Sequence, residues 1–264
     1  MKRRLALTGA TVALFSFAVL AGEGPKKHGK DILHLSIQKR MSNEGTLATA
    51  SGKVDVHWDA EGNHDHQQVK LELKGLDTNG TYQLMALVDD DTNLTQVATF
   101  SPDHEGKAHI ELREKGPKHP ETRNGHVKAQ LPSELQPPTV IHQLLVSDIS
   151  SDTNGTPVLS ADLTAPDKFE YLVKRDLNAT DIRAKLEIKA DKHKARLRLE
   201  AKGLQAGAQY SLALNGNVAG SDTANDEGVL HLRADLQNAL DVFALTDVAL
   251  LDASSNVVVS ATLP

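Results

Sequence analysis

Leu71-Glu72-Leu73-Lys74-Gly75-Leu76, followed after a turn by Tyr82-Gln83-Leu84, decides how the chain reads, because the series returns as Leu199-Glu200-Ala201-Lys202-Gly203-Leu204 and Tyr210-Ser211-Leu212. In both places apolar residues alternate with polar ones up to a Lys-Gly-Leu, a Gly-containing turn follows, and a Tyr opens the next alternating run. A period of two is the spacing of a strand with one buried face. The repetition predicts that one β unit has been duplicated.

Working outward, Val54-Asp55-Val56-His57-Trp58 alternates, Asp59-Ala60-Glu61-Gly62-Asn63 supplies turn residues, and Val69, Leu71 and Leu73 resume the alternation. This reads as a hairpin whose interior positions are Val54, Val56, Trp58, Val69, Leu71 and Leu73. Its counterpart runs from Leu186-Glu187-Ile188 through a turn near Asp191 to Leu197-Arg198-Leu199. A first strand precedes each hairpin, at Leu33-His34-Leu35-Ser36-Ile37 and around Tyr171-Leu172-Val173-Lys174-Arg175. Downstream, Gly106 and Gly228 each open a strand. Terminal hairpins then pair Leu145-Val146-Ser147-Asp148 with Val158-Leu159-Ser160-Ala161, and Leu250-Leu251-Asp252 with Val258-Val259-Ser260-Ala261. Asp148 and Asp252 sit where a carboxylate accepts hydrogen bonds from its own turn. Residues 113–138, rich in Pro, Lys, His and Gly, have no counterpart and read as a long exposed loop. Only residues 235–244 suggest a helical turn or two.

The Tyr just past the turn resembles the tyrosine corner of immunoglobulin-like sandwiches, whose ring is buried and whose hydroxyl bonds nearby backbone. The expected fold is therefore all-β: two tandem antiparallel β-sandwich domains, similar to immunoglobulin or fibronectin type III modules and related by internal duplication. The first covers residues 31–164 and the second residues 167–264, with the boundary at Thr164-Ala165-Pro166-Asp167. The resemblance covers the strand–turn–strand element and carries no site residue with it. Trp58 has no counterpart in the second unit.

Composition bounds the rest. The 264 residues, 39% hydrophobic and 24% charged, suffice for two compact cores. Lys2, Arg3 and Arg4 precede an apolar run from Leu5 to Leu20, and Val19-Leu20-Ala21 fits a signal-peptidase site, so residues 1–21 read as a signal peptide and 22–30 as a flexible lead-in. The expectation is export to the periplasm, the cell surface or the medium, with no integral membrane span after cleavage. The chain has no Cys, which excludes N-terminal lipidation, thiol nucleophiles and Cys-ligated metals. Its formal charge of −6 becomes more negative once the basic leader is removed, which argues against nucleic acid as a partner.

Twelve histidines are the most unusual polar inventory. Parity places Asp55, His57, His64 and His66 on the outer face of the first hairpin. Three imidazoles across a ladder, with Asp55 or Asp59 as a fourth ligand, form a candidate zinc or copper site. The second unit has Lys189-Ala190-Asp191-Lys192-His193-Lys194 there, so such a site would belong to the first unit alone. Asp89-Asp90-Asp91, Asp103 and Glu105 lack the Gly and spaced carboxylates of a calcium loop. No Gly-x-Ser-x-Gly, His-Glu-x-x-His or Walker motif occurs, so no enzymatic activity and no organic cofactor are expected. What remains is a structural, adhesive or interaction module that binds a protein partner or a cell-envelope component, with the 113–138 loop or an outer sheet face as its contact surface. A metal-binding protein is the alternative.

Overall fold

The computed structural model describes residues 31–62, 64–88, 94–152, 155–236 and 239–263; the expected signal peptide and lead-in and the run Asp89–Asp91 lie outside them. The chain is all-β. Its N-terminal half holds β1 (Ile32–Asn43), β2 (Ser51–Glu61), β3 (His64–Lys74), β4 (Tyr82–Val88), β5 (Thr95–Phe100), β6 (Ala108–Arg113), β7 (Glu121–Arg123), β8 (His126–Gln130), β9 (Ile141–Asp148) and β10 (Thr156–Asp162). Its C-terminal half holds β11 (Lys168–Asn178), β12 (Arg183–Asp191), β13 (Lys194–Lys202), β14 (Gln209–Leu214), β15 (Asn217–Thr223), β16 (Leu230–Leu236), β17 (Asp247–Asp252) and β18 (Val257–Thr262).

Strand neighbours run β1-β2-β3-β6 and β5-β4-β9-β10 in the first half, and β11-β12-β13-β16 and β15-β14-β17-β18 in the second. Registers correspond as well. Leu71 lies opposite Ile110 as Leu199 lies opposite Leu232, and Tyr82 opposite Asp148 as Tyr210 opposite Asp252. A register shift falls at Leu84/Met85 in one half and at Leu212/Ala213 in the other. The six interior positions of the first hairpin are all buried, as alternation requires. Tyr82 and Tyr210 are buried too, and each hydroxyl accepts a backbone N–H five residues upstream, from Asp77 at 2.9 Å and from Gln205 at 3.1 Å.

The expected boundary falls between β10 and β11, but the sheet does not stop there. Ile32–Gln38 of β1 pair antiparallel with Lys168–Lys174 of β11, which joins strands of both halves in one fourteen-stranded sheet; β15, β14, β17 and β18 form the second sheet. Each of these first strands would otherwise leave a long row of unpaired backbone groups at an edge, and pairing them satisfies both rows. Leu35 faces Tyr171 across the seam, and both are buried. Directly opposed residues point to the same side of a ladder, so the interiors of both halves lie on one face of the sheet and the polar residues of both on the other. At its far end β1 also carries β10, through Ser42 and Asn43, which links the two layers of the first half.

The 113–138 segment differs from its reading as a loop. It contains β7, β8 and a 3-10 turn at Ser133–Leu135; β8 pairs in parallel with β6, and Val127, Ala129, Leu131 and Leu135 are buried. Its apolar residues join the single hydrophobic core that runs through both halves, which a solvated loop cannot do. In the suspected helical stretch, Asp235 and Leu236 complete β16 and Ala239–Ala244 form a 3-10 helix whose Phe243 ring stands 5.2 Å from Phe169 and 5.8 Å from Tyr171. Among the described residues, no helix is long and apolar enough to cross a membrane.

Candidate functional site

The outward face of the fourteen-stranded sheet gathers nearly all the polar residues of interest, and cross-strand register arranges them in rows. In the first half one row reads Gln38, Asp55, Lys70, Glu111, Lys128 across β1, β2, β3, β6 and β8. Glu111 is only 7% exposed although it points outward, because long neighbouring side chains cover it. Arg113 Nη2 donates to its Oε1 at 2.7 Å, Gln68 Nε2 at 2.5 Å, and Lys70 Nζ stands 3.9 Å away. Burial pushes the Glu111 carboxyl up, but the Arg113 hydrogen bond and charge, with Lys70 and Lys128, outweigh it and hold the group below the usual range.

The four predicted metal ligands all lie on this face, but they do not gather around Asp55. Asp55 is 2.8 Å from Lys53 and opposite Lys70, two cations that oppose a metal ion. Asp59 is the centre instead. His66 is directly opposite it on β3, His64 is diagonal to it, and His57 precedes it by two residues on β2. On its other flank His34 of β1 is opposite, with Nδ1 at 2.5 Å from Asp59 Oδ1. His34 was outside the predicted set; alternation shows that it points outward, but only the β1·β2 register brings it to Asp59. Among the described residues, no group of three or more His, Asp or Glu converges as a metal site would require.

Asp103 does not stand free for calcium. Its Oδ1 accepts the backbone N–H groups of Glu105 and Lys107, both at 2.9 Å, and Asn225 uses its amide oxygen for Glu227 and Val229 in the other half. A neutral amide fills the same place, so the charge is incidental to the turn. Asp148 and Asp252 accept from Ser150 and Ser254, as their positions predict.

In the second half the outward rows are richer in cations. They read Leu172, Lys189, Arg196, Asp235; then Lys174, Glu187, Arg198, Arg233; then Asp176, Lys185, Glu200, His231. Glu187 is held by Lys189 at 3.1 Å and Lys174 at 3.6 Å, and its carboxyl lies below the ordinary range because Lys189 donates to it. Two open depressions of about 480 and 570 Å³ lie on this part of the sheet, the larger lined by Lys185, Arg198, His231 and Arg233 among others.

The chain matches no protein-family model and no curated protein sequence.

Proposed function

We propose that the chain is an exported, non-enzymatic binding module, made of two β-sandwich units descended from one duplicated unit, that engages a protein or cell-envelope partner through the outward face of the β16-β13-β12-β11-β1-β2-β3-β6-β8 run of its large sheet. The observation that carries this reading is the β1·β11 seam. It turns two separate outer faces into one continuous polar surface, wide enough for a macromolecular contact. Matching strand order, registers and tyrosine hydroxyl bonds support descent from one unit. Divergence between Gln38-Asp55-Lys70-Glu111 and Lys174-Glu187-Arg198-Arg233 supports a scaffold kept inside and specialised outside.

Because the chain is free of Cys, a single introduced thiol can be labelled without ambiguity. Polyethylene glycol attached at Glu170→Cys, on the outward face at the seam, is expected to abolish binding to native cell-envelope fractions. The same label at Gln96→Cys, exposed on β5 of the opposite layer, is expected to leave binding intact. The reverse pattern overturns the assignment.

A second reading, zinc or copper binding, draws support from His34 and His66 lying opposite Asp59 on its two neighbouring strands, with His57 and His64 each one outward position away. In it Asp59 replaces Asp55 as the acidic ligand. Trp58 sits beside Asp59, so its fluorescence serves as the reporter. Saturable quenching by either metal near neutral pH, lost in Asp59→Asn with His66→Ala, is the expected result; an unchanged titration rules it out.

A further inference from the structure

The second half contains an arrangement that its fold does not require. Arg198 on β13 lies directly opposite Arg233 on β16, and like charges directly opposed across a ladder are destabilising. The corresponding rung in the first half, one residue before Leu71 and one after Ile110, pairs Lys70 with Glu111, opposite charges. The same rung thus pairs opposite charges in one half and like charges in the other. The surrounding acids relieve it only in part: Glu187 lies opposite Arg198 and feels its charge but is held at contact distance by Lys174 and Lys189, Glu200 is held by Lys202 at 3.0 Å, and Asp235 lies 3.7 Å from Arg196. Arg198, Arg233 and Lys185 make no ion pair among the described residues.

We infer that this part of the sheet, centred on Arg198 and Arg233, binds an anionic polysaccharide through its sulfate or phosphate groups. The inference rests on the outward face being the binding surface and names the chemistry of its partner. Guanidinium forks match oxyanions in geometry, and an incoming anion relieves the Arg–Arg repulsion, so the cost of the pair becomes affinity. Successive outward rows repeat roughly every 7 Å along the strands and about 5 Å across them, which offers a linear polymer several contacts in sequence. One feature favours a glycan over single-stranded nucleic acid. Among the described residues, the outward positions of β11, β12, β13 and β16 include no Phe, Tyr or Trp on which an unpaired base would stack.

The test uses the full mature chain with dextran sulfate, neutral dextran, linear polyphosphate and duplex DNA, at several salt concentrations. Wild type is expected to bind dextran sulfate saturably, with affinity falling as salt rises, and to leave neutral dextran unbound. Arg198→Gln with Arg233→Gln is expected to weaken binding at least fivefold. Lys74→Gln with Lys118→Gln, which removes equal charge at other exposed sites, is expected to change it less than twofold. Polyphosphate binding that equals dextran sulfate assigns the recognised group to phosphate as well as sulfate and upholds the site. No saturable dextran sulfate binding, equal losses in both double variants, or tighter binding of DNA than of dextran sulfate overturns the proposal. If dextran sulfate fails while the Glu170→Cys label still blocks envelope binding, the polysaccharide is wrong and the face is right; if that label has no effect, the face itself is wrong.

Discussion

Tyr82 and Tyr210 show how one side chain can hold a turn from inside the core. Each ring is buried while its hydroxyl accepts a backbone N–H that would otherwise be unpaired. Tyr82→Phe and Tyr210→Phe each remove only that bond, and urea unfolding is expected to register a loss of about 1 kcal/mol in either case. Asp103 works through the same logic without burial: Asp103→Asn should leave the unfolding midpoint unchanged, as Asn225 does the equivalent work, whereas Asp103→Ala should lower it. Glu111 sets a pH dependence. Its carboxyl is held below the ordinary range, so the unfolded chain takes up a proton there before the folded one does. The stability it contributes is present above the ordinary carboxylate pKa of about 4.3 and is lost as pH falls through the lower folded value. Between about pH 5 and pH 3 the wild type is therefore expected to lose more stability than Glu111→Gln; parallel curves would refute the role given to Arg113.

At the scale of the element, the turns leading into β6 and β16 require glycine. Gly106 has φ +71° and Gly228 φ +70°, and a Cβ would stand 2.4 Å from the carbonyl oxygen of Leu76 or 2.2 Å from that of Leu204. Gly106→Ala and Gly228→Ala are each expected to cost more than about 1 kcal/mol, read by thermal or urea unfolding. Alternation was enough to locate most strands, because a half-buried strand writes its period directly into the residue order. It is present in His126-Val127-Lys128-Ala129-Gln130-Leu131 as well, but the surrounding Pro and Gly hide it and the segment reads as a loop. The parallel pairing of β8 with β6 was not legible at all, since alternation tells which face a residue takes and not which strand lies beside it.

The same limit governs the whole molecule. Parity put His57, His64, His66 and Asp55 outward, and they are outward, but their neighbours follow from register between distant strands. Hence Asp59 with His34, not Asp55, occupies the centre of the histidines, and the Arg198–Arg233 rung emerged only once β13 and β16 were side by side. The seam is the largest such feature. It makes two outer faces into one surface, and the proposed binding face depends on it. A disulfide test addresses it directly in this Cys-free chain: Ser36 and Glu170 are opposed across β1 and β11, whereas Ser36 and Lys174 stand four residues out of register. Mild oxidation of Ser36→Cys with Glu170→Cys should give a near-complete intramolecular disulfide with native circular dichroism, and Ser36→Cys with Lys174→Cys should give almost none. Equal yields, or no bond in the first variant, would mean that the two halves do not share a sheet.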